Sequence, residues 1–108
     1  MDQRRSQELV ICILDALHGK VCRIIQYGAS RRTASETDIA ILTPYKISAD
    51  EEERLSDAVI EFNTRHRESV SAIDIDVHSY LKWKDSTPFC QEIDRTGILL
   101  WSGEESAE

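Results

Sequence analysis

Two short runs rich in β-branched residues, separated by a glycine-led polar stretch, most constrain how this chain can fold. The first run, VCRIIQY, covers residues 21–27, and the second, TDIAIL, covers residues 37–42. Runs of this length and composition are typical of β-strands. Gly28 opens the stretch of small and polar residues between them, and Pro44 ends the second run. The sequence therefore predicts two strands, the second one buried, joined by a loop over residues 28–35.

Apolar residues at helical spacing predict one helix before these strands and another after them. Gly19 is a plausible end for the first helix, and Ser48 with Glu51 forms an S-x-x-E capping box at the start of the second. The apolar positions are Leu9, Val10, Ile13, Leu14 and Leu17 in the first helix, and Leu55, Ala58, Val59 and Phe62 in the second. Polar residues 63–69 are expected to connect the second helix to a third strand.

The C-terminal half predicts this third strand, two helices and a final strand. The predicted segments are a strand over residues 70–77, a short helix over 79–84, a helix that begins at Thr87 and Pro88 and ends at Gly97, and a strand over 98–101. The order α-β-β-α-β-α-α-β favours an α+β fold of two layers, a small mixed sheet with helices packed on one side. Residues 1–103 are expected to form one domain, and the acidic tail 104–108 is expected to be disordered.

The charge balance limits the classes of function. The 108 residues carry a formal charge of −7, which argues against an extended nucleic-acid groove because such a groove needs clustered cations. A nucleotide bound through a metal ion remains compatible with this charge. Cys12, Cys22 and Cys90 lack metal-site spacing and are expected to be buried thiols in a reducing compartment. No apolar run approaches the ~18 residues of a membrane span, and a cytoplasmic location is expected.

Four acidic residues in two strands could form a metal site. Residues two apart in a strand point to the same face, so Glu36 and Asp38 can direct two carboxylates to one point, and Asp74 and Asp76 can do the same from a neighbouring strand. Carboxylates that share a face repel one another unless a cation is present. Mg²⁺, or Mn²⁺, would offset this repulsion.

The glycine-led loop adds groups that suit phosphate. The backbone of Gly28, Ala29 and Ser30 could approach a nucleotide closely, and Arg31 and Arg32 could neutralise charge on a transferring group. Together with the acidic residues, these are the parts of a metal-dependent phosphoryl or nucleotidyl transfer site. Taken singly, a glycine-led loop is more often an ordinary turn, and an acidic pair at the start of a strand is more often solvated than bound to a metal.

At these residues the sequence resembles the minimal nucleotidyltransferase (MNT) family of the DNA polymerase beta-like superfamily. That family has a strand, the motif G-S-x-x-R-G, a loop, S-D-x-D leading into an apolar strand, and a third Asp on a later strand. The resemblance extends over nearly the whole chain and includes Pro88-Phe89 and the segment IDRTGILLW at residues 93–101.

The site departs from the family motif, and two registers are open. In the first, SETDIAIL matches the family's S-D-I-D-I-A-I-L, with Glu36 in place of the first Asp. In the second, Thr37-Asp38-Ile39-Ala40 matches S-D-I-D, and Ala40 replaces the second Asp. The first is favoured because the match then continues along the apolar strand. The loop is also short, Ala29 stands where the family has Ser, and Thr33 stands where it has a second Gly.

The resemblance implies a nucleotidyltransferase-like protein that transfers a nucleoside monophosphate, AMP from ATP or another NTP, to a hydroxyl acceptor. The implied catalytic residues are Glu36, Asp38 and Asp74, which with Asp76 as a reserve would hold Mg²⁺. Gly28, Ala29, Ser30, Arg31 and Arg32 would bind the nucleotide. The resemblance further implies an antitoxin whose partner and acceptor is a small helical HEPN-type toxin, with a homodimer possible. The alternative is a catalytically inactive protein of the same fold that acts by binding a protein partner.

Overall fold

The computed structural model describes residues 2–28 and 36–103. The predicted order of helices and strands is confirmed. The helices and strands are α1 (Gln3–Ala16), β1 (Arg23–Tyr27), β2 (Thr37–Thr43), α2 (Ala49–His66), β3 (Val70–Asp76), α3 (Val77–Trp83), α4 (Pro88–Thr96) and β4 (Ile98–Ser102). The expectations for the acidic tail and for loop residues 29–35 lie outside the described residues.

The four strands form one mixed sheet in the order β3-β2-β1-β4. β1 is antiparallel to both β2 and β4, whereas β2 and β3 are parallel. Parallel neighbours need a crossover connection, and α2 provides it. All seven residues of β2 are buried, so this strand lies at the centre of the fold, as its apolar sequence predicts.

Helices cover both faces of the sheet, which corrects the predicted one-sided packing. One core lies between α1, α2 and the sheet residues Ile24, Ile39 and Ile41. A second core lies between α3, α4 and sheet residues that include Ile25 and Ala40. β1 and β2 carry apolar residues at successive positions, and a strand with both faces apolar must be covered on both sides.

The helix ends follow local backbone chemistry. Asp2 caps α1, and Gly19, with φ of +77°, comes shortly after its end. The capping box at α2 is confirmed: the Glu51 amide donates to Ser48 Oγ at 3.1 Å, and the Ser48 amide donates to Glu51 Oε1 at 2.8 Å. α2 continues to His66, so the predicted connection from residue 63 is wrong. Its last polar residues complete the helix, and Arg67 ends it in a left-handed conformation.

Asn63, near the end of α2, fixes the start of β3. Its side-chain amide donates to the Val70 carbonyl at 3.1 Å, and its side-chain carbonyl accepts from the Val70 amide at 3.0 Å. β3 then ends one residue earlier than predicted, because Asp76 caps α3 and Val77 is already helical. α3 therefore begins two residues before the predicted start. None of the helices in the described parts of the chain is long and apolar enough to cross a membrane.

Candidate functional site

Gly28, directly after β1, brings the backbone beside two carboxylates. Tyr27 pairs with Asp38 across the β1–β2 ladder, so Gly28 lies next to the beginning of β2. Its φ of +70° is a left-handed conformation that favours glycine. An ideal Cβ at Gly28 would lie 3.6 Å from Asp38 Oδ2 and 3.4 Å from Glu92 Oε2. These two oxygens therefore lie close to the same backbone position.

Asp38 is the buried acidic residue of this site. It is 8% exposed in β2 and shares a sheet face with Ala40 and Leu42, which pack under α3 and α4. Ala40 is fully buried in this second core and lies farther from the loop end of the strand. Both positions lie on the same face of β2, so the choice between the two registers of the motif stays a prediction.

The other residues of the predicted loop motif are only partly described. Glu36 is exposed and lies one residue before β2 begins at Thr37. Because Glu36 lies outside the strand, strand alternation does not place its side chain on the face of Asp38. Ala29, Ser30, Arg31 and Arg32, predicted to bind the nucleotide, lie outside the described residues.

The structure does not bring Asp74 to Asp38, so the prediction that the two acidic pairs meet at one point is wrong. The parallel register pairs Asp38 with Ser71 and Ile41 with Asp74. Paired residues of neighbouring strands point to the same face. Ile41 faces α1 and α2, whereas Asp38 faces α3 and α4. Asp74 therefore lies on the opposite face of the sheet from Asp38.

Asp74 belongs to a different environment, a cavity of about 370 Å³ between α2 and β3. Glu52, Leu55 and Val59 of α2 line it together with Asp74. Burial raises the pKa of Asp74 above its ordinary value, and the negative charge and hydrogen bond of Glu52 raise it further. Asp74, the third acid expected for the transfer site, therefore lies beside Glu52 in this cavity.

Asp76, the predicted reserve ligand, is the N-cap of α3. Its two oxygens accept hydrogen bonds from the Ser79 amide at 2.9 Å and from the Ser79 hydroxyl at 2.8 Å. The backbone hydrogen bond, followed by the hydroxyl, lowers the pKa of Asp76 below its ordinary value of 3.8. The structure therefore gives this carboxylate a capping role.

The cap makes a testable contribution to stability. Because the pKa is lower in the folded chain, the ionised cap stabilises the fold above the unfolded pKa and is lost as pH falls through the folded pKa. We expect Asp76→Asn to lower the melting temperature at neutral pH, with the difference from wild type shrinking below pH 3.8. Thermal unfolding between pH 7 and pH 2 measures this. A difference that stays constant with pH would contradict the assignment.

Glu92 is the site residue that the sequence reasoning missed. It lies on α4 between Cys90 and Ile93, which are both buried in the second core, and its carboxylate reaches Gly28. The signal available in the sequence was helical spacing: Glu92 follows Phe89 by three residues, and positions three apart lie on the same side of a helix. The Phe89 ring contacts Tyr27, just before Gly28, with centroids 5.5 Å apart and planes at 87°.

The donor set suits one hard cation that shares its coordination with a substrate. The candidate ligands are carboxylate oxygens, which Mg²⁺ prefers over nitrogen or sulfur. Within residues 2–28 and 36–103, no group of three or more acidic, His or Cys side chains is placed to hold a metal ion by itself. Mg²⁺ commonly binds through one or two carboxylates plus substrate phosphates. Asp38 fits that arrangement, with the Glu92 carboxylate close to the same backbone position.

Solved structures similar in fold to this chain include toxin–antitoxin complexes. One is a tri-AMPylated Shewanella oneidensis HEPN toxin in complex with an MNT antitoxin; it is 18% identical, with a TM-score of 0.67, over 99% of this chain and 77% of the other. The MntA-HepT toxin-antitoxin is 18% identical, with a TM-score of 0.61; the match covers 97% of this chain and 76% of the other. A toxin-antitoxin with AMP-PNP is 16% identical, with a TM-score of 0.60; the match covers 98% of this chain and 77% of the other.

These likenesses establish the fold. The mixed four-stranded sheet with four helices is the nucleotidyltransferase-like architecture of the MNT structures, as the fold-class prediction expects. No family model matches the sequence, and no curated protein sequence matches it.

Proposed function

We propose that this chain is an antitoxin of the nucleotidyltransferase fold that binds a HEPN-type toxin. The observation that carries the proposal is the extent of the structural likeness: 99% of the chain matches the structure of the Shewanella complex at a TM-score of 0.67. The likeness therefore includes both faces of the sheet and all of its helices. The acidic composition, with a formal charge of −7, suits a protein partner better than a nucleic-acid groove.

The chemical part of the proposal is use of ATP at the Gly28–Asp38 end of the sheet. Backbone at a glycine with positive φ can approach phosphate oxygens closely. Asp38, with Glu36, would hold Mg²⁺, which neutralises phosphate charge when it is bound. The predicted loop residues Ala29, Ser30, Arg31 and Arg32 would complete the phosphate contacts. A neighbouring structure with AMP-PNP and another with an AMPylated toxin support nucleotide use by this fold.

The corresponding reaction is AMP transfer to a hydroxyl group of the toxin. The hydroxyl oxygen attacks the α-phosphorus, and a new phosphoester bond forms. The bond from the α-phosphorus to the bridging oxygen breaks, and its electron pair leaves with pyrophosphate. Water accepts the hydroxyl proton. Asp38 and the backbone at Gly28 would orient the phosphates for this in-line attack, since positioning supplies much of the rate in such reactions.

A second candidate is neutralisation by binding alone. It is favoured by one specific observation: Asp74 lies on the far face of the sheet, so β3 adds no carboxylate beside Asp38. A transfer site with fewer carboxylates would bind less tightly the cation that neutralises phosphate charge. In this reading the chain keeps the fold and the partner surface without the transfer reaction.

Co-expression with a candidate HEPN-type toxin tests both proposals. We expect a stable complex on size-exclusion chromatography and relief of the toxin's growth inhibition. AMP transfer would add the mass of AMP residues to the toxin in intact-mass spectrometry, and Asp38→Asn would abolish that addition. A stable complex without added mass would support binding alone. Absence of any complex would overturn the antitoxin proposal.

A further inference from the structure

The outer edge of β3 presents backbone groups that suit a further strand. β3 lies at one end of the sheet order β3-β2-β1-β4, and within the described parts of the chain no strand pairs with its outer side. The Thr37 amide of β2 donates to the Ser69 carbonyl at 3.1 Å, so the odd-numbered residues of β3 bond to β2 in this parallel register. The backbone groups of the residues between them point outward: Val70, Ala72 and Asp74.

A side-chain amide already fills the first of these outward positions. Asn63 makes two hydrogen bonds with the Val70 backbone, at 3.0 and 3.1 Å, in place of a strand partner. Among the described residues, none makes a corresponding pair of bonds with Ala72, two residues farther along the edge. Edge strands with unpaired groups accept a strand from another chain. The edge from Ala72 onward therefore suits an extended segment.

A groove lies beside this edge. This β3 groove is the cavity of about 370 Å³ between α2 and β3, and Leu55 and Val59 of α2 contribute apolar surface to it. Ile60 also lines the groove and is 59% exposed. On the opposite face of β3, Ile73 is 41% exposed. A strand added at this edge would cover both isoleucines, so its side chains on the groove side are expected to be apolar.

The charge of the β3 groove favours a cationic partner residue. Glu52 and Asp74 both line the groove. Lys46 lies near Asp74, but its effect on the pKa of that carboxyl is smaller than the opposing effects of burial and of Glu52. The groove therefore keeps a negative charge, which complements a Lys or Arg side chain. A second copy of this chain, with its formal charge of −7, would bring its own acids to the same edge, and like charges that face one another oppose pairing.

From these observations we propose that the outer edge of β3 docks an extended segment of the partner toxin. The segment pairs with β3 from Ala72 onward, lays apolar side chains in the β3 groove and places a Lys or Arg beside Glu52 and Asp74. The inference rests on the proposed function for its partner, and it adds the surface of this chain that binds and the chemistry of the segment bound there. It is independent of nucleotide transfer.

Hydrogen exchange followed by NMR, on the chain alone and on its complex with a candidate HEPN-type toxin, tests where the toxin binds. We expect the Ala72 amide to exchange about tenfold more slowly, or slower still, in the complex, because it gains a hydrogen-bond partner. The amides of β4, at the other edge of the sheet, are the internal control and should keep their exchange rates. Unchanged exchange at Ala72 in a complex that forms would overturn the inference and leave the antitoxin proposal standing. Absence of any complex would overturn both.

Two pairs of variants separate the β3 groove from the rest of the surface. Ile60→Asp and Glu52→Gln are each expected to weaken toxin binding by about tenfold or more in isothermal titration calorimetry. Ile11→Asp, which places the same charge on an exposed isoleucine of α1, and Glu53→Gln, at the next position of α2, are the matched controls and should retain wild-type affinity. A control that weakens binding as much as its paired variant would overturn the inference. A free chain that is dimeric, with the Ala72 amide already protected, would make a second copy the occupant and overturn it as well.

Discussion

Replacing Phe62 with alanine is expected to lower the free energy of unfolding by about 3–5 kcal/mol. Phe62 is fully buried in the core between α1, α2 and the sheet, and its ring lies 4.7 Å from the ring of His66. Truncation leaves a cavity where α2 packs on the central strands. Since a domain of this size has a total stability of only about 5–15 kcal/mol, this loss is a large fraction of the whole.

Ile60→Ala is the matched control, because Ile60 lies on the same helix but is 59% exposed. A surface substitution of this kind changes stability by about 0.5 kcal/mol or less. Urea unfolding followed by circular dichroism compares the two variants through their midpoints. Similar midpoints for Phe62→Ala and Ile60→Ala would show that α2 does not pack as described.

Replacing Asp38 with asparagine is expected to produce the largest functional loss. The change keeps the size of the side chain and removes the negative charge beside Gly28. We expect Mg²⁺-dependent binding of AMP-PNP to fall by ~10²-fold, because the cation loses its buried carboxylate and the phosphates lose their positioning. The fold should persist, since an uncharged amide is less costly to bury than a carboxylate.

Asp57→Asn is the control for this second variant, because Asp57 is an exposed acid of α2 on the other side of the sheet. Isothermal titration calorimetry with AMP-PNP, with and without Mg²⁺, measures the affinities. If Asp38→Asn binds the nucleotide as tightly as Asp57→Asn does, Asp38 is not part of a cation site.

Local patterns in the sequence predict the elements of this fold well because local chemistry determines them. The Ser48–Glu51 capping box begins α2, and the apolar run 37–42 becomes the buried strand β2. The one-sided packing was wrong for a reason that was visible in the same run. A strand such as β2, apolar at successive positions, has two faces to bury, and the two-layer interpretation covered only one.

The site was less predictable because it depends on pairing between distant segments. Strand alternation places Asp74 and Asp76 on one face of β3, but only the register with β2 decides which face of the sheet that is. The position of Glu92 likewise depends on how α4 packs on β1. Neither the register nor the packing is encoded in a short motif. The sequence therefore indicated candidate acidic residues but not which of them lie close together.

The two hydrogen bonds between Asn63 and Val70 have a consequence for how such a site can change over time. In a strand, a shift of one residue exchanges every side chain between faces. The Asn63 amide anchors the first residue of β3, so the count of residues from that anchor decides that Asp74 faces α2. A single inserted or deleted residue between Val70 and Asp74 would turn this carboxylate toward Asp38. In this chain, the gain or loss of an acidic ligand at the sheet is therefore a matter of segment length as much as of amino-acid identity.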